Sequence, residues 1–329
     1  MIQIVEASPE TVHWGYLSAE REPVATVDSG DTIVIRTVSG HQDTLPPPGD
    51  FTASPVLRQI HEATTKRMLP GHMCTGPVAV RGASPGDVLQ VDIEEIVPAA
   101  DWAYTAVRPL RGALTYDFAG KSIFHSRIDA EAMTAETPWG MEVPLRPFFG
   151  VMASAPPHRW GTISTVQPRP NGGNIDNREL VAGTTLFLPV FVQGALFSVG
   201  DGHGAQGDGE VCGNGLETSL EGRFRLSVRD DMAIDHPVAE TPTHLMTMAC
   251  DPDLDDCVVI ALRNMIRLLG LWGGLNEHQA YALCSLVGDL RITQVVNGHK
   301  GVHLMMPREY FENKPIFRKS DVRSGNRDQ

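Results

Sequence analysis

Residues 185–213 read TLFLPVFVQGALFSVGDGHGAQGDGEVCG, an apolar run that changes abruptly into an acidic, glycine-rich stretch. The apolar part, residues 185–199, is rich in β-branched and aromatic side chains and is interrupted by Pro189 and Gly194, which predicts strands rather than a helix. Six glycines follow within residues 200–213. We expect a loop there, because glycine has little intrinsic backbone order. The preceding strand is a rigid support from which such a loop presents side chains.

Patterns on either side of this stretch separate strands from helices along the chain. Residues 88–97 alternate polar and apolar side chains, which is the period of a half-buried strand. Residues 255–270 instead begin with acidic side chains and end at glycine, as a helix does. Asn276 is a typical N-cap for a second helix. We therefore predict an α+β, β-rich fold with its helices near the C-terminal end.

The length of the chain favours one large domain or two closely joined ones, and we expect a single domain over residues 1–329. Within it we expect a β-rich part at residues 1–230 and a smaller α/β portion at about residues 231–317. The polar tail, residues 318–329, is expected to be frayed.

Composition excludes several classes of protein. The 329 residues include 32 glycines and 24 prolines, which argues against a mostly helical protein. The net charge of −13 argues against a nucleic-acid partner. Without an apolar run of membrane-spanning length, no membrane partner is expected. The five cysteines are scattered and form no C-x-x-C pair, and no secretory signal is visible at residue 1, so we expect a cytoplasmic protein.

The glycine-rich stretch carries the strongest chemical signal. It holds three carboxylates, Asp201, Asp208 and Glu210, and one imidazole, His203. Carboxylate oxygens and imidazole nitrogens are ligands for zinc and other divalent ions. Residues 202–207 also match G-x-G-x-x-G, but no helix pattern follows to bind a pyrophosphate. The spacing does not fit an EF-hand, and a flexible acidic turn without function stays open.

Further candidates lie elsewhere in the chain. Asn174 and Asp176, among glycines, could ligate a metal, hold a polar substrate or only form Asx-turns. His13 and His72 could each be a ligand or a hydrogen-bonded structural residue. Cys212 could be a thiolate nucleophile or an inert buried thiol.

Five blocks of this sequence resemble the acetamidase/formamidase family, and the resemblance extends around them from about His13 to the strand near Val296. The blocks are residues 75–93, 147–152, 172–177, 183–190 and 195–213. The resemblance implies a cytoplasmic, metal-dependent hydrolase of short amides, usually oligomeric, with β-sandwich or barrel-like sheets. The family often has alanine where this chain has Gly204, and the His-Arg-Trp ending at Trp160 is a departure from it.

On this resemblance we assign roles to the candidate residues as hypotheses. We expect Asp201 and His203 to ligate the metal, together with His72, His13 and Asp176. Either Glu210 or Asp208 would be the general base.

Asn174 would orient the amide, and Phe149 and Trp160 would line the substrate site. Zinc is the expected metal, with calcium as an alternative, and the expected partners are a small amide and a second copy of the chain. Two rival interpretations remain: a non-catalytic metal-binding β-sandwich, and an amidase that uses Cys212 as nucleophile.

Overall fold

The structure, a computed structural model, describes residues 2–64 and 68–311, so the expected frayed tail at residues 318–329 lies outside the described residues. Two large sheets, one two-stranded sheet and three α-helices make up the described chain. The helices are α1 Pro55–Ala63, α2 Leu254–Gly273 and α3 Glu277–Val287. The strands are β1 Gln3–Val5, β2 Val12–Trp14, β3 Tyr16–Leu17, β4 Ala25–Val27, β5 Asp31–Arg36, β6 Met73–Val80, β7 Val88–Pro98, β8 Trp102–Val107, β9 Ser122–Asp129, β10 Thr134–Glu136, β11 Glu142–Pro144, β12 Phe148–Ala153, β13 Ile163–Ser164, β14 Gly172–Asn174, β15 Thr185–Pro189, β16 Phe197–Ala205, β17 Leu216–Glu217, β18 Leu220–Arg229, β19 Val238–Glu240, β20 His244–Asp251, β21 Asp289–Gln294 and β22 Lys300–Pro307.

The first large sheet has nine strands in the order β1-β5-β18-β7-β15-β19-β20-β22-β21. Its long central strand β7 shows the alternation predicted from the sequence, with Leu89, Val91 and Ile93 buried. Because side chains alternate across a strand, this places the apolar set of β7 on the inner face of the sheet. The opposite face carries polar side chains such as Asp92, which pairs with Arg225.

The second large sheet has eleven strands, with β11-β10-β9-β8-β17-β16-β12-β14 along its main path and β6, β2 and β4 attached beside β16. The core lies between the two sheets. Phe149 and Phe197 of the second sheet meet Phe224 of the first, with ring centroids 5.6 Å and 5.7 Å apart. This packing confirms the predicted sandwich of sheets in an α+β fold.

The helices α2 and α3 cover β20 and β22 at one end of the nine-stranded sheet and form a second apolar cluster there. Asp253 caps α2 by accepting a hydrogen bond from the backbone N–H of Asp255, and Asn276 caps α3 in the same way from Gln279. Both capping interactions agree with the sequence pattern. Among the described residues, no helix is long and apolar enough to cross a membrane.

The expected loop at residues 200–213 is a strand over its first part, because β16 continues to Ala205. The glycines make this possible. A Cβ on Gly202 would lie 2.5 Å from the backbone oxygen of Thr218, and one on Gly200 would overlap the backbone oxygen of Met73. Only glycine therefore fits where neighbouring chain segments approach β16 so closely.

His13, which the sequence suggested as a ligand, is buried in β2. Its Nδ1 lies 2.6 Å from the backbone oxygen of Tyr16, and its Nε2 lies 3.0 Å from the hydroxyl of Ser198. Both ring nitrogens therefore have hydrogen-bond partners, and burial of the ring disfavours its charged form. Burial lowers its pKa from 6.5 to about 4.

This shift predicts how stability depends on pH. His13 is protonated near pH 6.5 in the unfolded chain but only near pH 4 in the folded chain. The contribution of His13 to the free energy of unfolding is therefore fully present above pH 6.5 and is lost as the pH falls toward 4. For the His13→Gln variant, the fall in free energy of unfolding between pH 7 and pH 5 should be about 2 kcal/mol smaller than in the wild type. Urea titrations in EDTA measure this difference. His158→Gln, which removes an exposed imidazole paired with Glu20, is the control; equal falls in the wild type and His13→Gln would contradict the prediction.

Candidate functional site

One row of side chains crosses the eleven-stranded sheet and builds the site. The strand registers place Phe148 of β12 opposite His203 of β16, His203 opposite Glu217 of β17, and Glu217 opposite Tyr104 of β8. Residues directly opposite each other on neighbouring strands are in contact distance. The ring of Phe148 accordingly stacks on His203, with centroids 4.9 Å apart and planes inclined by only 7°.

Four carboxylates surround the buried imidazole of His203. Its Nε2 lies 2.9 Å from Glu217 Oε1, 3.6 Å from Glu210 Oε1 and 3.9 Å from Asp176 Oδ1. Asp201 belongs to a second group of three residues. Within each of the two groups, the possible ligand atoms all lie within 4.8 Å of one another, and His203 is a member of both groups. The groups that could hold a metal ion are Asp176, His203 and Glu210, and Asp201, His203 and Glu217.

Three of these carboxylate residues have a left-handed backbone. Their φ angles are 50° at Asp176, 58° at Asp201 and 46° at Glu210. This region is unfavourable for residues with a Cβ and persists only where the surroundings hold it. Such strain is concentrated at functional sites in proteins. Bringing these three side chains together therefore costs conformational free energy in the backbone.

Gly150 leaves the space between these groups open. It lies in β12 between the residues that pair with Gly200 and Gly202 of β16. A Cβ at this position would lie 2.6 Å from Asp201 Oδ2 and 2.7 Å from His203 Cε1, and would overlap Asp176 Oδ1. Any larger residue would thus fill the centre of the cluster.

The electrostatics of the cluster also favour a cation. Burial, together with the charges of neighbouring carboxylates, raises the pKa of both Asp201 and Glu210 well above the usual value. Burial alone would lower the pKa of His203, but the charges of Glu217 and Asp201 raise it well above its usual value. Within the described residues, no hydrogen bond satisfies Asp176 Oδ1, Glu210 Oε2 or Nδ1 of His203. Buried polar atoms without partners are costly, so this donor set suits a bound positive ion.

A cleft of about 680 Å³ opens above the cluster. Asp201, Glu210 and Glu217 reach its surface, whereas His203 and Asp176 lie beneath them. Its volume is in the range of small-molecule sites. Other lining residues include Trp14, His41, His61, His72, Tyr104, Arg108, Arg111, Asn174, Cys212 and Asn297.

The structure brings together most of the residues that the sequence suggested. Asp201, His203, Glu210 and Asp176 form the cluster. His72 lies beside it, with its Nε2 3.8 Å from Asp201 Oδ2.

Asn174 lines the cleft, and its side-chain oxygen accepts no hydrogen bond from the described residues.

Four predicted residues lie elsewhere. Asp208 is on the surface, where its Oδ2 is 2.7 Å from Nη2 of Arg291. His13 belongs to neither group of possible ligands. Trp160 packs near Phe191, with ring centroids 5.8 Å apart, and is not among the residues that line the cleft.

Phe149, the fourth, is fully buried in the core between the sheets. The aromatic ring at the site belongs instead to Phe148, the preceding residue. The difference follows from the strand period, because adjacent residues of β12 point to opposite faces of the sheet.

Two polar residues of the site, Glu217 and Asn297, were not among the predicted residues. Glu217 has the closest carboxylate to His203, and the charge of His203 lowers its pKa despite its burial. Asn297 donates a hydrogen bond from Nδ2 to Asp176 Oδ2 at 2.5 Å. Glu217 follows the glycine-rich stretch by only four residues, and this position could have indicated that it belongs to the site. Nothing near Asn297 in the sequence points to this site.

Cys212 lines the cleft without the features of a nucleophile. Its thiol donates to the backbone oxygen of Asn214, with Sγ and O 3.4 Å apart. Burial raises its pKa. Nucleophilic cysteines need a lowered pKa, so this environment disfavours the thiolate interpretation.

Comparisons with known proteins agree with the resemblance seen in the sequence. The acetamidase/formamidase family matches residues 19–163 and 160–313. An acetamidase of Mycolicibacterium smegmatis is 30% identical over 213 residues, which are 44% of this chain and 51% of that protein. The chain thus spans about half the length of the curated relatives it matches.

Two crystal structures share the fold over nearly their whole length. The acetamidase of Bacillus halodurans has a TM-score of 0.80 and 29% identity, covering 94% of this chain and 99% of that one. A predicted acetamidase/formamidase of Thermoanaerobacter tengcongensis has a TM-score of 0.82 and 27% identity, covering 97% of this chain and all of the other.

The open centre of the cluster can be tested by filling it. Gly150 does not have a left-handed backbone, so the Gly150→Ala variant should keep its strand while its methyl group displaces the ligand atoms. For a divalent ion held by these groups, we expect about 10–100-fold weaker binding, as for other disturbances of metal surroundings. Titration of the chelator-treated protein with zinc as the probe ion measures this, with circular dichroism as a check on folding. Gly204→Ala is the matched control, because its Cβ would meet only the movable side chain of Leu145 within 3.1 Å; equal affinity in both variants would contradict the prediction.

Proposed function

The chain belongs to the acetamidase/formamidase family, and on this basis we propose that it hydrolyses the C–N bond of a small linear amide, releasing ammonia or an amine. The observation that carries the proposal is the convergence of buried carboxylates on His203 at the floor of an open cleft. A buried acidic cluster beneath a ligand-sized cleft is an arrangement typical of active sites.

We propose that Asp201, His203 and Glu217 would hold a divalent metal ion here, with His72 beside them. The fit rests on the ligand atoms that converge within 4.8 Å in each group, on the unsatisfied oxygens Asp176 Oδ1 and Glu210 Oε2, and on the space that Gly150 leaves open. Because His203 belongs to both groups of possible ligands, metal binding should depend on it in either case.

Zinc is the metal that this donor set favours. Zinc is commonly bound by imidazole nitrogen together with carboxylate oxygen. Calcium prefers six to eight oxygen ligands. The central position of the His203 imidazole therefore supports zinc over calcium.

Amide hydrolysis needs an activated water, a stabilised carbonyl oxygen and a proton for the leaving nitrogen. A bound divalent ion lowers the pKa of water and polarises the carbonyl. We assign the proton transfer to Glu210, which lines the cleft and whose Oε2 has no hydrogen-bond partner among the described residues. A carboxylate so placed can take a proton from water and pass it to the leaving nitrogen. The free side-chain oxygen of Asn174 would accept a hydrogen bond from the amide N–H and so orient the substrate.

A cytoplasmic location is also part of this proposal. All five cysteines are free thiols. Disulfides are rare in reducing compartments, so the absence of pairing among these cysteines supports the cytoplasm.

We further propose that the protein assembles with copies of itself. The loop after β8 exposes several large apolar side chains, namely Leu110, Leu114, Tyr116 and Phe118. Exposed apolar patches commonly mark protein–protein contacts. Sedimentation at micromolar concentration should give at least twice the 35.8 kDa of one chain, whereas the mass of a single chain would contradict this part of the proposal.

The activity is tested by ammonia release from a panel of short amides, carbamates and lactams, with and without chelator and added zinc. We expect turnover of at least one linear amide that chelator abolishes and zinc restores. His203→Ala should lose metal and activity together, since the imidazole is common to both ligand groups.

Cys212→Ser is the control for the alternative nucleophile and should keep most of the activity. No release from any compound would contradict the amidase proposal. Activity that survives chelator but not the Cys212→Ser substitution would instead support the thiol mechanism.

A further inference from the structure

An ion-pair network lies beside the cluster and has no role in the proposed mechanism. Asp208, two residues before Glu210, does not enter the cleft. Both Nε and Nη2 of Arg291 contact its Oδ2 at 2.7 Å. The same Nη2 lies 3.0 Å from Oε1 of Glu179, three residues after Asp176. One guanidinium of β21 thus joins the two chain segments that carry Glu210 and Asp176.

We propose that Arg291 is a positioning residue that locks these two segments in the arrangement needed to bind metal. Arg291 touches neither the cleft nor a possible ligand, so it would act only through Asp208 and Glu179. This inference rests on the proposed function, since it concerns the same site.

The segments need such a lock because their ligand residues are strained and repel each other. Asp176 and Glu210 both have a left-handed backbone, with φ of 50° and 46°. Their carboxylates also belong to one group of ligand atoms that all lie within 4.8 Å of one another, so their negative charges repel. Without external ties, both segments would relax toward ordinary backbone conformations and separate.

Backbone hydrogen bonds from the same strand reinforce the lock. The N–H of Gly209 donates to the oxygen of Thr293 at 3.0 Å, and the N–H of Val295 donates to the oxygen of Gly209 at 3.1 Å. Just beyond β21, Asn297 holds Asp176 through its carboxylate. The end of the nine-stranded sheet therefore holds both segments of a site that the eleven-stranded sheet builds.

The side chain required for this role is specifically arginine. A guanidinium presents several N–H donors in a fixed plane and can serve two carboxylates together, whereas an ammonium is a point charge without this geometry. Glu179 is also contacted by Arg146, at 3.4 Å, so this carboxylate keeps one partner if Arg291 is replaced. Loss of Arg291 should therefore release the Asp208 segment more than the Glu179 segment.

The test compares Arg291→Gln with Arg225→Gln in the full chain. Arg225 forms a similar ion pair with Asp92, Nε to Oδ2 3.0 Å, on the same sheet but outside the cleft. Zinc affinity of the metal-stripped protein and hydrogen exchange of residues 174–180 and 206–213 are the readouts. We expect Arg291→Gln to weaken zinc binding about 10–100-fold, and to speed exchange in both segments, most in 206–213.

Two further variants separate positioning from general stability. Arg291→Lys should recover part of the zinc affinity, because it keeps the charge but not the planar geometry. The double variant Arg291→Gln/Asp208→Asn should bind zinc less than twofold more weakly than Arg291→Gln alone. The reason is that both substitutions remove the same ion pair between Asp208 and Arg291.

Equal zinc affinity and equal exchange in Arg291→Gln and Arg225→Gln would overturn the inference. A wild type that binds no zinc would contradict the proposed metal site, and a wild type that releases no ammonia would contradict the proposed amidase activity. The exchange rates of the two segments in the metal-free protein then still decide whether Arg291 holds them.

Discussion

The gathering of four buried carboxylates around the imidazole of His203 is the constraint on which the rest of the structure depends. Like charges in a medium of low polarity repel strongly, and their burial alone disfavours ionisation. The raised pKa of Asp201 and Glu210 is the result. An arrangement of this kind does not form from local preferences, so other parts of the fold must hold it.

The two sheets divide this task between them. The eleven-stranded sheet places His203 and Glu217 by strand register, and the two strands that carry them, β16 and β17, are each paired on both sides. The segments that carry Asp176 and Glu210 lie outside regular strands and have strained backbones. They are held by the end of β21 in the nine-stranded sheet, so the site depends on how the sheets pack as well as on each sheet alone.

Some features of the fold and the site follow from local pattern. The strand β7, the caps of α2 and α3 and the importance of residues 200–213 all rest on neighbouring side chains, whose physical effect is local. Local pattern does not distinguish the roles of Phe148 and Phe149. Both are apolar residues of one strand, and only the packed sheet decides which of them faces His203 and which enters the core.

The sequence by itself therefore determined the β-rich class, the family resemblance and most of the acidic residues at the site. It also determined where glycine occurs, including Gly150, which leaves the centre of the cluster open. The tertiary structure alone decided that Glu217 meets His203, that Asn297 holds Asp176 and that Asp208 turns toward Arg291. The reason is physical: these contacts depend on strand register and sheet packing between segments far apart in the chain, and such pairings leave no periodic signal in the sequence.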